Sequence, residues 1–321
     1  MKGETQMVQA KAPNNSIRKK KKNPVLEVLS QWQLYAMLLP AFASLVIFHF
    51  IPLYGLTIAF KDLYIGQSLW EGTWVGLKHF KRLFNSQLFG TLMTNTLTIT
   101  LVSHFLLWPI PIVFALLVHN SSSKVVRKVS QTMSYIPHLL STVVVVCIIE
   151  LMVNVETGLI NILFKTLGLD TVYFMGEAKY WRWIYFMSTT RKSMGSSAVI
   201  YIAALASVDP QLIEAATIDG ASKIKRIWHI DIPAILPTIV LLFIMSMGSM
   251  LSVGYEFVLL LQNDLNLSVS EILSTYVYKT GLQQSQFSFS TAVTLFNNVI
   301  GLFLVIASNF IAKKVGDIAL F

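Results

Sequence analysis

The pattern that most constrains this chain is a series of six long apolar segments, separated by shorter stretches that hold nearly all the charge. They cover residues 34–59, 92–118, 133–153, 183–206, 234–261 and 292–311. A helix needs about 20 apolar residues to cross a bilayer, and each segment supplies them. Trp32 and Tyr35 stand at the mouth of the first, Pro109 and Pro111 bend the second, and Arg191-Lys192 interrupt the fourth. Prolines inside spanning helices are tolerated where neighbours satisfy the freed carbonyls, which implies a packed bundle. The expected fold is therefore all-α and integral to a membrane, with six transmembrane helices.

Only 13% of the residues are charged, against about 25% in soluble domains. The net charge of +9 is not a nucleic-acid footprint, because seven of the 25 basic residues fall in the first 22 positions, ending in the run at 18–22. Beside a spanning helix such a run is a cytoplasmic retention signal facing anionic lipid, so residues 1–31 are read as a basic cytoplasmic tail and 32–321 as the membrane domain. Three more basic residues (Lys124, Arg127, Lys128) fall between segments two and three. A further three (Lys223, Lys225, Arg226) fall between four and five, and two (Lys313, Lys314) follow the sixth. Placing these loops inside puts both termini in the cytoplasm. The first segment outruns a signal-peptide core and lacks a small-residue cleavage site, so it is expected to be retained. Loops 61–90, 154–182 and 262–290 are then external and long enough to meet an external partner. One cysteine, Cys147, rules out an intrachain disulfide.

The loop at 207–233 carries the function. Asp209 is a good N-cap with Pro210 at the first helical position, and Glu214 follows in the early turns. Gly220 can end that helix in a left-handed conformation. Ile224, Ile227 and Trp228 then recur at helical spacing until Pro233, which is expected to stop a second short helix. Two short helices at an angle, on the cytoplasmic membrane face, are the result.

Glu214-Ala215-Ala216, then Gly220, then Ile230-x-Ile232-Pro233 resemble residue by residue the coupling segment of bacterial ABC importer permeases, apart from Ile232 where that family usually has Leu. An ordinary interfacial amphipathic helix would not need this spacing. The likeness extends to Leu38-Leu39-Pro40, the runs at 51–55 and 59–62, the run at 75–80, Asn95-Thr96, and the runs at 201–205 and 275–278. These are similar to the maltose-type carbohydrate uptake class, and nearest to its polysaccharide and oligosaccharide branch, that of the alginate-type first permease. The resemblance implies a bacterial cytoplasmic (inner) membrane location. It also implies one of two different permease subunits working with two ATPase subunits and an extracytoplasmic solute-binding protein. It assigns ATPase coupling to Glu214, Ala215, Ala216, Asp219, Gly220, Ala221, Ile230 and Pro233.

The chain has no Gly-x-x-x-x-Gly-Lys-Ser/Thr loop, so ATP and magnesium are expected on a partner and no cofactor or catalytic residue here. Nor does it carry an HExxH motif, other metal-ligand spacing or a GxSxG elbow. His49, His104 and His138 read as hydrogen-bonded packing. The aromatic residues between Tyr173 and Phe186 read as an interfacial belt and packing, with a sugar-stacking surface as the alternative. Ionisable groups at membrane depth mark pathways by default, which singles out Arg191 and Glu256, with Asn297 and Asn298 on the last segment. Each could instead tie helices together. The expectation is a carbohydrate-importing permease. An ion-gradient-driven secondary transporter is the alternative, but it would need midplane coupling carboxylates beyond Glu256 and internal repeats.

Overall fold

The computed structural model describes residues 32–68, 70–252 and 254–316; the basic tail expected at 1–31 lies outside them. The chain divides into two units, Met1–Gly55 and Leu56–Phe321. In the first, a helix begins at Trp32 and carries Pro40 in its interior. It passes through a π-helical turn, Val46–Phe50, just ahead of Pro52.

The second unit holds the bundle. Its helices are α1 (Lys78–Phe84), α2 (Phe89–His119), α3 (Lys124–Leu139), α4 (Thr142–Val153), α5 (Leu159–Thr166), α6 (Ala178–Leu205), α7 (Pro210–Ile218), α8 (Lys223–Gly248), α9 (Tyr255–Leu261), α10 (Leu273–Tyr278) and α11 (Phe287–Gly316). A two-stranded antiparallel ribbon, β1 (Lys61–Asp62) with β2 (Thr73–Trp74), precedes α1. Four helices in the described residues are long and apolar enough to cross a membrane: Trp32–Phe60, α2, α8 and α11. Two bent pairs, α3 with α4 and α6 with α7, raise the number to as many as six.

Three of the expected segments differ from what forms. Residues 133–153 are not one helix, because α3 and α4 meet at 101°. Leu140 is extended there, and Ser141 caps α4 by accepting from the Val144 amide. Pro137 removes a donor from the last turn of α3, and the cap then starts a new helix in a new direction. Segment four is not interrupted, since α6 runs unbroken through Arg191 and Lys192. Segment five stops at Gly248, and a 3₁₀ turn and left-handed Gly254 (φ +73°) separate it from α9.

Small residues set the closest crossings. Gly195 allows α6 to meet α3, for a Cβ there would run into the backbone of Ser134 and Tyr135. A Cβ on Gly301 of α11 would lie 3.0 Å from the Gly248 carbonyl of α8. Larger side chains fill the spaces between. Trp181, Tyr185, Phe257, Val258 and Leu261 form one buried cluster, and Ala198, Tyr201, Leu205 and Ile235 another.

Within this unit π-helical turns occur at Val102–Leu107 and Ile227–Asp231, just ahead of Pro109 and Pro233. A proline cannot donate to the carbonyl one turn back, and the wider turn accommodates that loss without ending the helix. Pro233 therefore does not stop the second coupling helix as expected. The chain passes from Lys223 to Gly248 as one helical run.

Candidate functional site

The coupling segment is built by local rules. Asp209 accepts a hydrogen bond from the Gln211 amide at 2.9 Å and starts α7, with Pro210 as its first residue. At the other end Gly220 adopts φ +75°. The Ala221 amide donates to the Ala216 carbonyl at 2.9 Å and the Gly220 amide to the Thr217 carbonyl at 3.1 Å. This pair of bonds closes a helix on a left-handed residue. Asp219 occupies the C-cap position, and Ser222 caps the next helix by accepting from the Lys225 amide.

No residue of α7 is buried. Glu214 and Ala215 are exposed and Ala216 half-buried, while Ile218 is 87% exposed and Leu212 56%. Leu212 and Ile218 thus leave apolar surface open on a helix that is capped at both ends. Ala221 and Ile230 are half-buried and Pro233 is exposed.

Sequence reasoning missed how this segment is tied to the bundle. Arg226 donates to Thr217 Oγ1 at 3.0 Å, which fixes the angle between the two coupling helices. Lys223 Nζ reaches Ser122 Oγ at 2.8 Å. Asp231 is buried, and Asn120 Nδ2 donates to its carboxylate at 2.7 Å. The signal that could have found Asp231 was a single acid between two isoleucines at the start of a span.

The polar residues singled out within the apolar segments lie in separate places. Arg191 is exposed and faces an apolar groove with Trp183, Ile184 and Met187. Asn298 is exposed. Asn297 is buried beside the break that follows α8, its Nδ2 on the Leu251 carbonyl at 3.5 Å. Glu256, in the first turn of α9, accepts from Thr142 Oγ1 at 2.9 Å. Thr142 in turn accepts from Lys192 Nζ at 2.8 Å. Lys192 also lies 5.7 Å from the Phe257 ring centroid. Thus Lys192, beside the expected Arg191, is the cation that meets Glu256, through a hydroxyl at the first residue of α4.

Lys192 borders a cavity of about 420 Å³, with His104, His138, Tyr185, Thr189 and Ser193 among its walls. His104 Nδ1 lies 3.1 Å from the Thr100 carbonyl, the hydrogen-bonded packing expected of it. Tyr185 closes the cavity against Gly254, where a Cβ would collide with the tyrosine hydroxyl. The cavity falls in the size range of small-molecule sites and mixes apolar walls with a few polar groups.

Helices long and apolar enough to cross a membrane, bent and broken around a cavity of apolar walls and a few polar groups, make the fold of a multi-pass membrane protein. Residues 108–317 match the model of a family described as the binding-protein-dependent transport system inner membrane component, and the chain belongs to that family. It is 40% identical over 300 residues to the polygalacturonan/rhamnogalacturonan transport system permease protein YteP of Bacillus subtilis, covering 94% of each chain. It is 39% identical over 288 residues to protein LplB of the same organism, covering 90% of this chain and 91% of that one. Its structure resembles a chain of the bacterial ABC transporter involved in import of the acidic polysaccharide alginate, with a TM-score of 0.85 and 34% identity. That likeness covers 92% of this chain and 100% of the other. The structure also resembles a chain of a bacterial alginate ABC transporter in complex with alginate pentasaccharide-bound periplasmic protein, again at 34% identity and a TM-score of 0.85, covering 92% of this chain and 99% of that one.

Proposed function

We propose that this chain is one permease subunit of an ATP-driven oligosaccharide importer, and that 207–233 is its contact with the ATPase. The observation that carries this reading is the exposed face of α7, with Glu214 and Ala215 open and Leu212 and Ile218 bare beside them. Its caps hold the helix in shape, and the Arg226 bond to Thr217 sets its angle, as a lever needs. The carbohydrate assignment draws on the similar chains named above, which handle polygalacturonan, rhamnogalacturonan and alginate.

In this reading six spans cross the membrane with both termini and the coupling segment in the cytoplasm. The partners are a second, homologous permease, two ATPase subunits that bind ATP and magnesium, and an external binding protein. The solute passes the cavity beside Lys192 and Glu256. The test is reconstitution of the assembled transporter in proteoliposomes. Uptake of an oligogalacturonide should require ATP and the binding protein, stop with vanadate and persist with an ionophore. Uptake that stops with the ionophore and ignores vanadate overturns the proposal.

A further inference from the structure

We infer that Lys192 is the residue by which this permease selects a carboxylate-bearing saccharide, and that Glu256, through Thr142, is the counter-charge with which such a saccharide competes. The inference rests on the cavity proposed above as the solute pathway. Among the described residues its ionisable walls are Lys192, His104, His138 and Tyr185, and no Asp or Glu is with them. The one fixed charge is therefore positive. An ammonium attracts an anion far more strongly than it attracts a neutral hydroxyl.

The bonds around the lysine set how that charge is used. Thr142 Oγ1 accepts from Lys192 and donates its own proton to Glu256 Oε2, so a single hydroxyl sits between the cation and the acid. Lysine and glutamate are not in direct contact, and the ammonium keeps two further protons for another acceptor. The three residues sit where the helices are broken: Thr142 is the first residue of α4 after the 101° bend, and Glu256 follows left-handed Gly254. Lys192 belongs to unbroken α6. A saccharide carboxylate arriving at Lys192 competes with a bridge whose other two members lie at helix ends, while the lysine stays in place.

The test measures equilibrium binding of trigalacturonate and of its fully methyl-esterified form to the assembled transporter without nucleotide or binding protein. The wild type should prefer the acid by about tenfold or more. Lys192→Gln should bind both alike, and Lys192→Arg should restore the preference, which separates charge recognition from a folding defect. Glu256→Gln should tighten the acid severalfold and leave the ester unchanged, the opposite of what a merely structural bridge gives. Equal binding of acid and ester by the wild type, a preference kept in Lys192→Gln, or weaker acid binding in Glu256→Gln each overturns the inference. Binding of neither saccharide, with binding-protein-stimulated ATP hydrolysis intact, instead refutes the saccharide reading on which the inference stands.

Discussion

At the end of the bundle where α2 begins, distant parts of the chain are stitched together. Asn95 donates to the carbonyls of Ser268 and Glu271 and accepts from Arg182, and the Leu273 amide donates to Thr96. Trp181 Nε1 donates to the Leu261 carbonyl 80 positions away. At the opposite end, 209–222 is held by caps that reach two to five residues. The bonds of Arg226, Lys223 and Asp231 are the links that join it to its surroundings. The first end is rigid because each loop is held by others. The second is shaped by its own caps and joined through a few polar bonds, the arrangement that the coupling role proposed above needs.

The difference can be broken at either end. The largest expected effect is at the stitched end, where Asn161 is fully buried and gives its Nδ2 to the carbonyls of Val153, Asn154 and Val172 while accepting from the Val172 amide. Asn161→Leu leaves several backbone groups unpaired, at about 1–3 kcal/mol each. The thermal midpoint of the detergent-solubilised complex should fall by several degrees, and an unchanged midpoint would show that the stitching is not what stiffens this end.

Gly195→Ala comes next. It drives α6 off the α3 backbone, at about 1–3 kcal/mol for overpacking. Both stability and uptake should drop, because this crossing belongs to neither end.

Gly220→Val sharpens the contrast. No atom lies within 4 Å of a Cβ there, so only the φ of +75° resists it, at about 1–2 kcal/mol. Uptake should collapse while insertion and the thermal midpoint stay near wild type. Equal losses of both would mean that the coupling segment is as integrated as the rest. Asp209→Ala should act in the same sense but more weakly, near 1 kcal/mol of local helix stability. Hydrogen exchange confined to 210–218 would report it.

Asp62→Asn marks the small end of the scale. The Lys78 ammonium bonded to Asp62, with His79 beside it, holds that carboxyl below its ordinary 3.8. The contribution is therefore full above that pH and is lost as pH falls through the lowered value. Exposed pairs are worth under about 1 kcal/mol, so the variant should shift the midpoint at pH 7 by little and abolish any change between pH 5 and 3 that this pair supplies.

The coupling segment was legible in the sequence because Asp209, Pro210 and Gly220 act on neighbours within five residues. The spans were legible as apolar length, but their breaks were not. Hydropathy runs smoothly across Leu140 and across Gly248, and both breaks depend on a cap or glycine seen only in three dimensions. Arg191-Lys192 looked like an interruption because charge was taken to end an apolar helix. In the fold Lys192 finds a hydroxyl 50 positions away and that hydroxyl an acid 114 positions away, separations that no local pattern encodes.

The π turn at Ile227–Asp231 has a consequence for angular phase. Such a turn absorbs one residue more than an α-helix of the same length, so everything beyond it stands about 100° from where an α-helix of the same residue count would put it. The face that Lys223 and Arg226 present and the face that α8 presents to the bundle are thus set by chain length as well as by residue type. Removing one residue between 227 and 231 would let the turn close as an ordinary α turn with the two faces nearly in phase, whereas forcing all five residues into α geometry would turn one face against the other by about a quarter of a revolution.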